Sequence, residues 1–490
     1  MIFSTVSTRW LAAAAILLAF LVFPCRADQP GVTAEALRED LAVLYTTLQE
    51  AHYDLYAHRS KDEYDALYRT MLASIDGPVT RAEAAALLQR VTAYGKIGHA
   101  RIDQGVKEFL ASLSDGGMML PLFMRVVDGR AYLLRAPDLD GRLRAGTEVL
   151  RVDGEPVLAW LERVSNVVSA ERPYMALAQL EESLPAAAWL ELGPRASVRV
   201  TARNADGRTF EETVDALSLA EFRVLSRLRP TTRVADFNTR EFRLLGEDIA
   251  YLRPGPFFNT EAASDGPAPS YEDSAFRRFL DDAFGKILAA GTRDLIIDLR
   301  NNPGGDNSFS DPMVAWFADE PFRFASRFML KASAATKAYY AKQEPEEGDM
   351  LAKLIAAEIA QPNGTRYAFE LPMVPPREGK RYEGRVYVLV NRHSYSNATT
   401  TAALIQDYGF GTIVGEETAD VPTTYASVVY FDLPKTGITV TYPKSYIVRP
   451  SGDERVRGVV PTHRIVEPVI PPATDIVLER AVKLVRAQRR

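Results

Sequence analysis

The chain has 490 residues, 47% hydrophobic and 25% charged, with a formal net charge of −6. That length corresponds to about three domains of ordinary size, and the scattered lysines and arginines exclude the basic stripe a nucleic-acid binder needs. The single cysteine, Cys25, excludes a disulfide scaffold, a paired-thiolate metal site and, if the leader is removed, a cysteine nucleophile.

At the N-terminus Arg9 precedes an apolar run from Trp10 to Phe23, followed by Pro24, Cys25, Arg26 and Ala27 before Asp28. The run is shorter than the roughly 18 residues a spanning helix needs, and Ala27 is a small residue at a cleavage edge. We expect a signal peptide over 1–27, export to the periplasm or medium, and no stable membrane insertion after cleavage. Phe23 and Pro24 stand where a lipidated cysteine has small residues, which argues against an anchor at Cys25.

Residues 28–112 read as a helical domain. Ala34–Leu48 and Lys61–Ile75 carry apolar residues three and four apart, and Thr80 with Glu83 forms a capping box for a helix through Ala93. Residues 113–240 read as β-rich. Leu120–Val127, a turn at Asp128-Gly129 and Ala131–Arg135 form a hairpin pattern. Gly146–Val152, the Asp153-Gly154 turn, a short strand and a helix follow. That order resembles part of a PDZ-like module, with an ordinary hairpin region as the alternative. Ala196–Arg203 alternates as a half-exposed strand, and Pro230–Thr239 reads as a connecting loop.

From 241 to 490 the pattern becomes α/β. Strands at Asp248–Arg253, Asp294–Arg300, Arg385–Asn391 and Gly411–Gly415 alternate with helices at Tyr271–Ala289 and Asn397–Tyr408, and 334–360 is charged and helical. Continuous apolar strands of this kind belong to a sheet covered on its faces by helices. The expected fold is therefore α+β and multidomain: a helical domain, a β-rich middle region with a PDZ-like part, and a C-terminal α/β domain.

Two segments of that last domain carry chemistry. Asp298-Leu-Arg-Asn-Asn-Pro-Gly304-Gly305 runs a buried strand into two glycines, where backbone N–H groups can face a developing oxyanion. In Val390-Asn-Arg-His-Ser-Tyr-Ser396-Asn397 a strand gives way to a helix at a serine. Such a serine either caps the helix or acts as a nucleophile facing its free amides.

Together these segments resemble the tail-specific (C-terminal-processing) peptidase family, with its D-L-R-N-N-x-G-G strand end and a serine at a strand–helix junction followed by Q-D. The resemblance extends to Ile413-Val-Gly-Glu416-Glu-Thr418, to Gly458-Val-Val-Pro461, and to Gly98-His99-Ala100 within Ala51–Asp103. It covers most of the chain after the leader and is densest over 247–480. It implies a ClpP/crotonase-like core, a polypeptide substrate and no metal or other cofactor. Counting eleven residues back from Asp407 implies Ser396 rather than Ser394 as nucleophile.

Many family members pair this serine with a lysine just after G-E-x-T. Here the place reads Thr418-Ala-Asp420-Val421, and no lysine or arginine occurs between Ser394 and Pro434. The resemblance then points to the tricorn-like branch, with His99 as base and a C-terminal carboxylate, Glu454 or its neighbour Asp453, in support. A neutral histidine suits proton abstraction near pH 7. His393 is the rival base, and His463 reads as structural. The amides of Asn397 and of Gly304 or Gly305 are the implied oxyanion donors. A relative that keeps the fold but only binds a peptide or ligand is the competing expectation.

Overall fold

The first elements of the computed structural model are four helices, α1 (Ala34–Ala51), α2 (Lys61–Ala73), α3 (Arg81–Ala93) and α4 (Gln104–Ser114). The structure describes residues 31–228, 238–261, 272–345, 350–470 and 472–488. The expected signal peptide and most of the loop expected over Pro230–Thr239 lie outside them. Capping boxes start α2 (Ser60 with Glu63) and α3 (Thr80 with Glu83), each satisfying two amides that a helix start leaves unpaired. The apolar stripe Leu37, Leu41, Leu44 and Leu48 is fully buried, and it packs partly on Val429, Leu433, Val440 and Tyr442 from far along the chain. At about 1.5–3 kcal/mol per buried large apolar side chain, that long-range contact holds the N-terminal helices to the C-terminal part.

The middle region contains β1 (Met118–Met119), β2 (Met124–Val127), β3 (Arg130–Leu133), β4 (Glu148–Val152), β5 (Glu155–Pro156), α5 (Val157–Val164), α6 (Pro173–Leu192), β6 (Ser197–Arg203), β7 (Thr209–Asp215), β8 (Leu217–Ser218) and α7 (Leu219–Leu228). Its antiparallel sheet has the order β2-β3-β4-β6-β7, with β5 paired to β4. Asp128 (φ 48°) and Gly129 (φ 73°) make the hairpin turn with both φ values positive, the arrangement that matches strand twist. The first strand is shorter than expected and begins at Met124; Pro121 has no amide to give a ladder. Helix α6 went unread in the sequence. It buries residues around most of its circumference, including Met175, Ala178, Leu180 and Leu184, so it carries no one-sided stripe to read.

The C-terminal part begins with β9 (Glu241–Leu244), β10 (Ile249–Arg253), α8 (Ser274–Ala290), β11 (Asp294–Asp298), α9 (Asn307–Ala315), β12 (Arg327–Lys331), α10 (Ala334–Tyr340), α11 (Met350–Ile359) and β13 (Arg366–Ala368). It continues with β14 (Arg385–Val390), α12 (Asn397–Asp407), β15 (Thr412–Gly415), β16 (Thr424–Asp432), β17 (Thr439–Val448), β18 (His463–Arg464) and α13 (Ile476–Ala487). One sheet runs β18-β15-β14-β11-β10-β9, parallel except for the β9 edge. Helices α8, α9 and α12 cover one face and α13 the other, as the strand–helix alternation predicts. A second, antiparallel sheet, β13-β12-β17-β16, was not anticipated. Its β16–β17 hairpin is the surface on which α1 and α3 rest.

Candidate active site

Strand β14 ends at Val390, and the turn to α12 is tied to the loop after β11. The Asn391 side chain accepts from the Asn301 and His393 amides (3.0 and 3.1 Å) and donates to Asn301 Oδ1 (2.9 Å). Ser394 is fully buried; its hydroxyl donates to the Leu299 carbonyl at 2.7 Å and accepts from the Asn391 amide at 3.0 Å. These bonds make Ser394 a strut. The Tyr395 amide donates to the Asn302 carbonyl at 3.0 Å.

Ser396 sits at φ 51°, ψ −124°. For a residue with a side chain such a backbone costs on the order of 1–3 kcal/mol and persists only where the surroundings over-determine it. Its side chain makes no capping bond to α12, which removes the helix-cap explanation for a serine here. Its amide donates to Asp420 Oδ2 at 2.7 Å.

Gly304 (φ 88°) lies directly against this serine. A Cβ on it would come within 2.7 Å of Ser396 Cβ and 2.6 Å of the Asn397 nitrogen, so only glycine permits the approach. Its own N–H donates to Asn302 Oδ1 at 2.8 Å. That corrects the expectation for Gly304: its amide is spent inside the loop, and its contribution is space. A Cβ on Gly305 would fall 2.0 Å from the Phe257 carbonyl oxygen. Among the described residues neither the Gly305 nor the Asn397 N–H has an acceptor. These two amides, one on each side of the Gly304–Ser396 contact, are the pair available to an oxyanion.

His99 follows α3 in a short segment fixed at both ends. The Gly98 amide donates to Glu171 Oε1 at 2.8 Å, and Arg101 exchanges two 2.9 Å backbone bonds with Thr441 of β17. The imidazole is 6% exposed and stacks on Tyr395, the residue before Ser396, with centroids 5.5 Å apart. The Tyr395 hydroxyl donates to the Gly98 carbonyl at 3.3 Å. Both ring nitrogens are buried without a partner among the described residues, a costly condition that calls for a functional or solvent explanation. Burial, with a lesser contribution from Arg101 and against the pull of Glu171, lowers the ring's pKa to about 4, so it is neutral over the physiological range.

The supporting carboxylate expected from the sequence is elsewhere. The Glu454 side chain is 48% exposed; it pairs with Arg327 and accepts from the Tyr446 hydroxyl at 2.8 Å. Asp453 is held by Arg455 (2.7 Å) and Arg457 (3.2 Å). Glu454 thus satisfies Arg327 of β12, and Asp453 satisfies arginines of its own loop, which corrects the expectation for Glu454. The carboxyls nearest these residues are Glu171, just before α6, which accepts from the Gly98 amide, and Asp420, which accepts from the Ser396 amide. Burial raises the pKa of both groups, and Asp420 pushes Glu171 further up, against the bond from Gly98 and the proximity of His99. Asp420 had a sequence signal in its position; Glu171 had none.

The rival base, His393, points into a buried charge cluster. Its Nε2 lies 3.2 Å from Glu181 of α6, which is also bound by Arg125 of β2 at 2.9 Å and Arg392 at 2.8 Å; Arg392 in turn reaches Glu416 at 3.1 Å. Burial alone would raise the Glu181 pKa, but His393, Arg125 and Arg392 hold it far below the usual carboxylate range. Breaking a buried pair on one side costs about 3–5 kcal/mol. Glu181→Gln should therefore lower the stability of the chain by about that amount in urea unfolding. Equal stability of the two proteins would show that the cluster is not holding the β14–α12 turn. His463, read as structural, has its Nε2 2.9 Å from Gln488 Nε2 near the C-terminus.

Other motif residues are scaffold. Gln406 and Asp407 clamp Arg449, just past the end of β17, with Asp407 bidentate at 2.6 and 2.8 Å. Asp298 holds Arg300 and the Tyr251 hydroxyl. Gly458 passes so close to Thr418 that a Cβ would sit 2.1 Å from its carbonyl oxygen.

Residues 249–465 match the sequence profile of peptidase family S41. The fold is similar to that of mature CPAF complexed with lactacystin, with a TM-score of 0.61 and 16% identity over 93% of this chain and 97% of that one. Mature CPAF by itself gives 0.57 and 17%, covering 88% and 92%. At these identities the likeness is one of fold.

Proposed function

We propose that this chain, whose residues 249–465 match the sequence profile of peptidase family S41, is a serine endopeptidase of exported proteins or peptides acting through an acyl-enzyme on Ser396. The observation that carries the reading is Ser396 itself, held at positive φ with a hydroxyl that does not cap its helix, against a glycine that admits no side chain. Neutral His99 takes the hydroxyl proton as Oγ attacks the peptide carbonyl. The Gly305 and Asn397 amides receive the oxyanion, and the imidazolium returns its proton to the leaving amine. Water, activated by the same imidazole, then releases the acyl group. Glu171, which accepts from the Gly98 amide, is the carboxylate that steadies the imidazolium by its charge when ionised.

Export rests on the leader over 1–27. The middle sheet, with its β4–β5 turn and α5, is the candidate PDZ-like part, and we assign it the capture of a substrate C-terminus by strand addition. The test of the central reading is fluorophosphonate labelling. A single adduct on Ser396 supports it. A folded wild-type chain that takes no label at that residue favours instead a relative that binds peptides without cleaving them.

A pH dependence follows from the carboxyls. His99 stays neutral well below pH 6 because its pKa is lowered, whereas the Glu171–Asp420 pair keeps a proton to higher pH than ordinary carboxyls. The acid limb of kcat/KM should then report the pair, activity rising as Glu171 ionises. Asp420→Asn removes the charge that pushes Glu171 up, so the limb should move to lower pH. An unmoved limb would assign it to another group.

A further inference from the structure

Lys444 stands on β17 with 4% exposure and lacks an ion-pair partner among the described residues. Its ammonium donates to the Ser427 carbonyl at 3.0 Å and to the Ser427 hydroxyl. The other groups facing it are the Tyr340 ring of α10, 5.9 Å from Nζ, and Glu358 of α11. Both Glu358 oxygens are in use: one accepts from the Ser333 amide at 3.0 Å, the other from the Tyr367 hydroxyl at 2.8 Å. Removing an ammonium from water without a paired anion costs several kcal/mol. Burial accordingly lowers the Lys444 pKa to about 8, with Glu358 opposing, so an appreciable fraction of the amine is neutral near physiological pH.

Ser427 is the second irregularity. The β16–β17 register pairs Ala426 with Ser445 and Val428 with Pro443, which puts Ser427 directly opposite Lys444, yet these two form no ladder pair. Ser427 has φ 53° in the middle of a strand, a conformation uncommon for a residue with a side chain. It is only half-buried. A half-buried serine at positive φ and a buried amine without an ion-pair partner among the described residues are thus in hydrogen-bond contact.

We propose that Ser427 and Lys444 form a second nucleophilic centre, independent of Ser396, which accepts acyl groups from small activated esters such as aryl esters or thioesters. Neutral Lys444 Nζ takes the Ser427 proton while Oγ bonds to the ester carbonyl carbon. The bond from that carbon to the phenol or thiol oxygen or sulfur breaks, and the leaving group departs with the proton held by Nζ. The product is O-acyl-Ser427, with no change of oxidation state.

The test uses the full chain as Ser396→Ala, so that failure of the main site and failure of this one are read separately. The protein is incubated with p-nitrophenyl acetate across pH 6–9 and peptide-mapped. The expected result is one hydroxylamine-labile acetyl ester on Ser427, formed at least about 10-fold faster than on exposed serines, faster as pH rises through the Lys444 titration, and absent after Lys444→Met. Acetylation of Ser427 at the background level of exposed serines, or a stable amide on Lys444, overturns the proposal. If Lys444→Met fails to fold, the pH dependence of Ser427 acylation in the Lys444 protein decides alone: a flat profile overturns it too.

Discussion

Ser396→Ala should abolish peptide hydrolysis, lowering kcat by about 10⁵- to 10⁶-fold, while leaving the fold intact. Removing the attacking hydroxyl deletes the covalent path and leaves whatever rate the oxyanion amides alone confer. The fold should not suffer, because the hydroxyl caps nothing; the change in unfolding free energy should stay within about 1 kcal/mol. Ser396→Gly adds a sharper arm. Glycine adopts φ 51° without steric penalty, so this variant should be equally inactive and at least as stable as Ser396→Ala. Substantial turnover by either variant, measured on an unstructured peptide, would remove Ser396 from the chemistry.

His99→Gln is the second large effect, with an expected fall in kcat of about 10⁴-fold or more. Glutamine retains a polar group of similar reach but cannot hold a proton between two steps. The substitution leaves the Gly98 and Arg101 anchors in place, so circular dichroism should match the wild type. The same assay on Glu454→Gln separates the two carboxylates considered for support: its effect on kcat/KM should be less than about 3-fold, because an exposed rim ion pair contributes little. A loss at Glu454 as deep as at His99 would restore it to the site. Retained activity in His99→Gln would return attention to His393.

Local chemistry made several parts readable before any coordinates. The strands β10, β11, β14 and β15 announce themselves because a parallel sheet buried on both faces needs continuous apolar runs. The capping boxes of α2 and α3 need only residues three apart. Helix α6 and the β16–β17 hairpin were missed for opposite reasons. The helix is apolar on most of its faces and shows no period, while the hairpin's exposures mix because one side meets the N-terminal helices and parts of the other meet solvent.

Read along its length alone, the chain shows a serine where a buried strand yields to a helix, two glycines closing another strand, and His99 within the N-terminal helical region. Those are properties of consecutive residues, governed by backbone sterics and hydrogen-bond periodicity. Only the tertiary structure decided which distant groups meet them. It set Glu171 on the Gly98 amide and Asp420 on the Ser396 amide, with Glu454 elsewhere, spent the Gly304 amide on Asn302, and drew His393 into the Glu181 cluster. Side-chain partners separated by hundreds of residues are chosen by packing and desolvation, and the spacing of letters along a chain encodes neither.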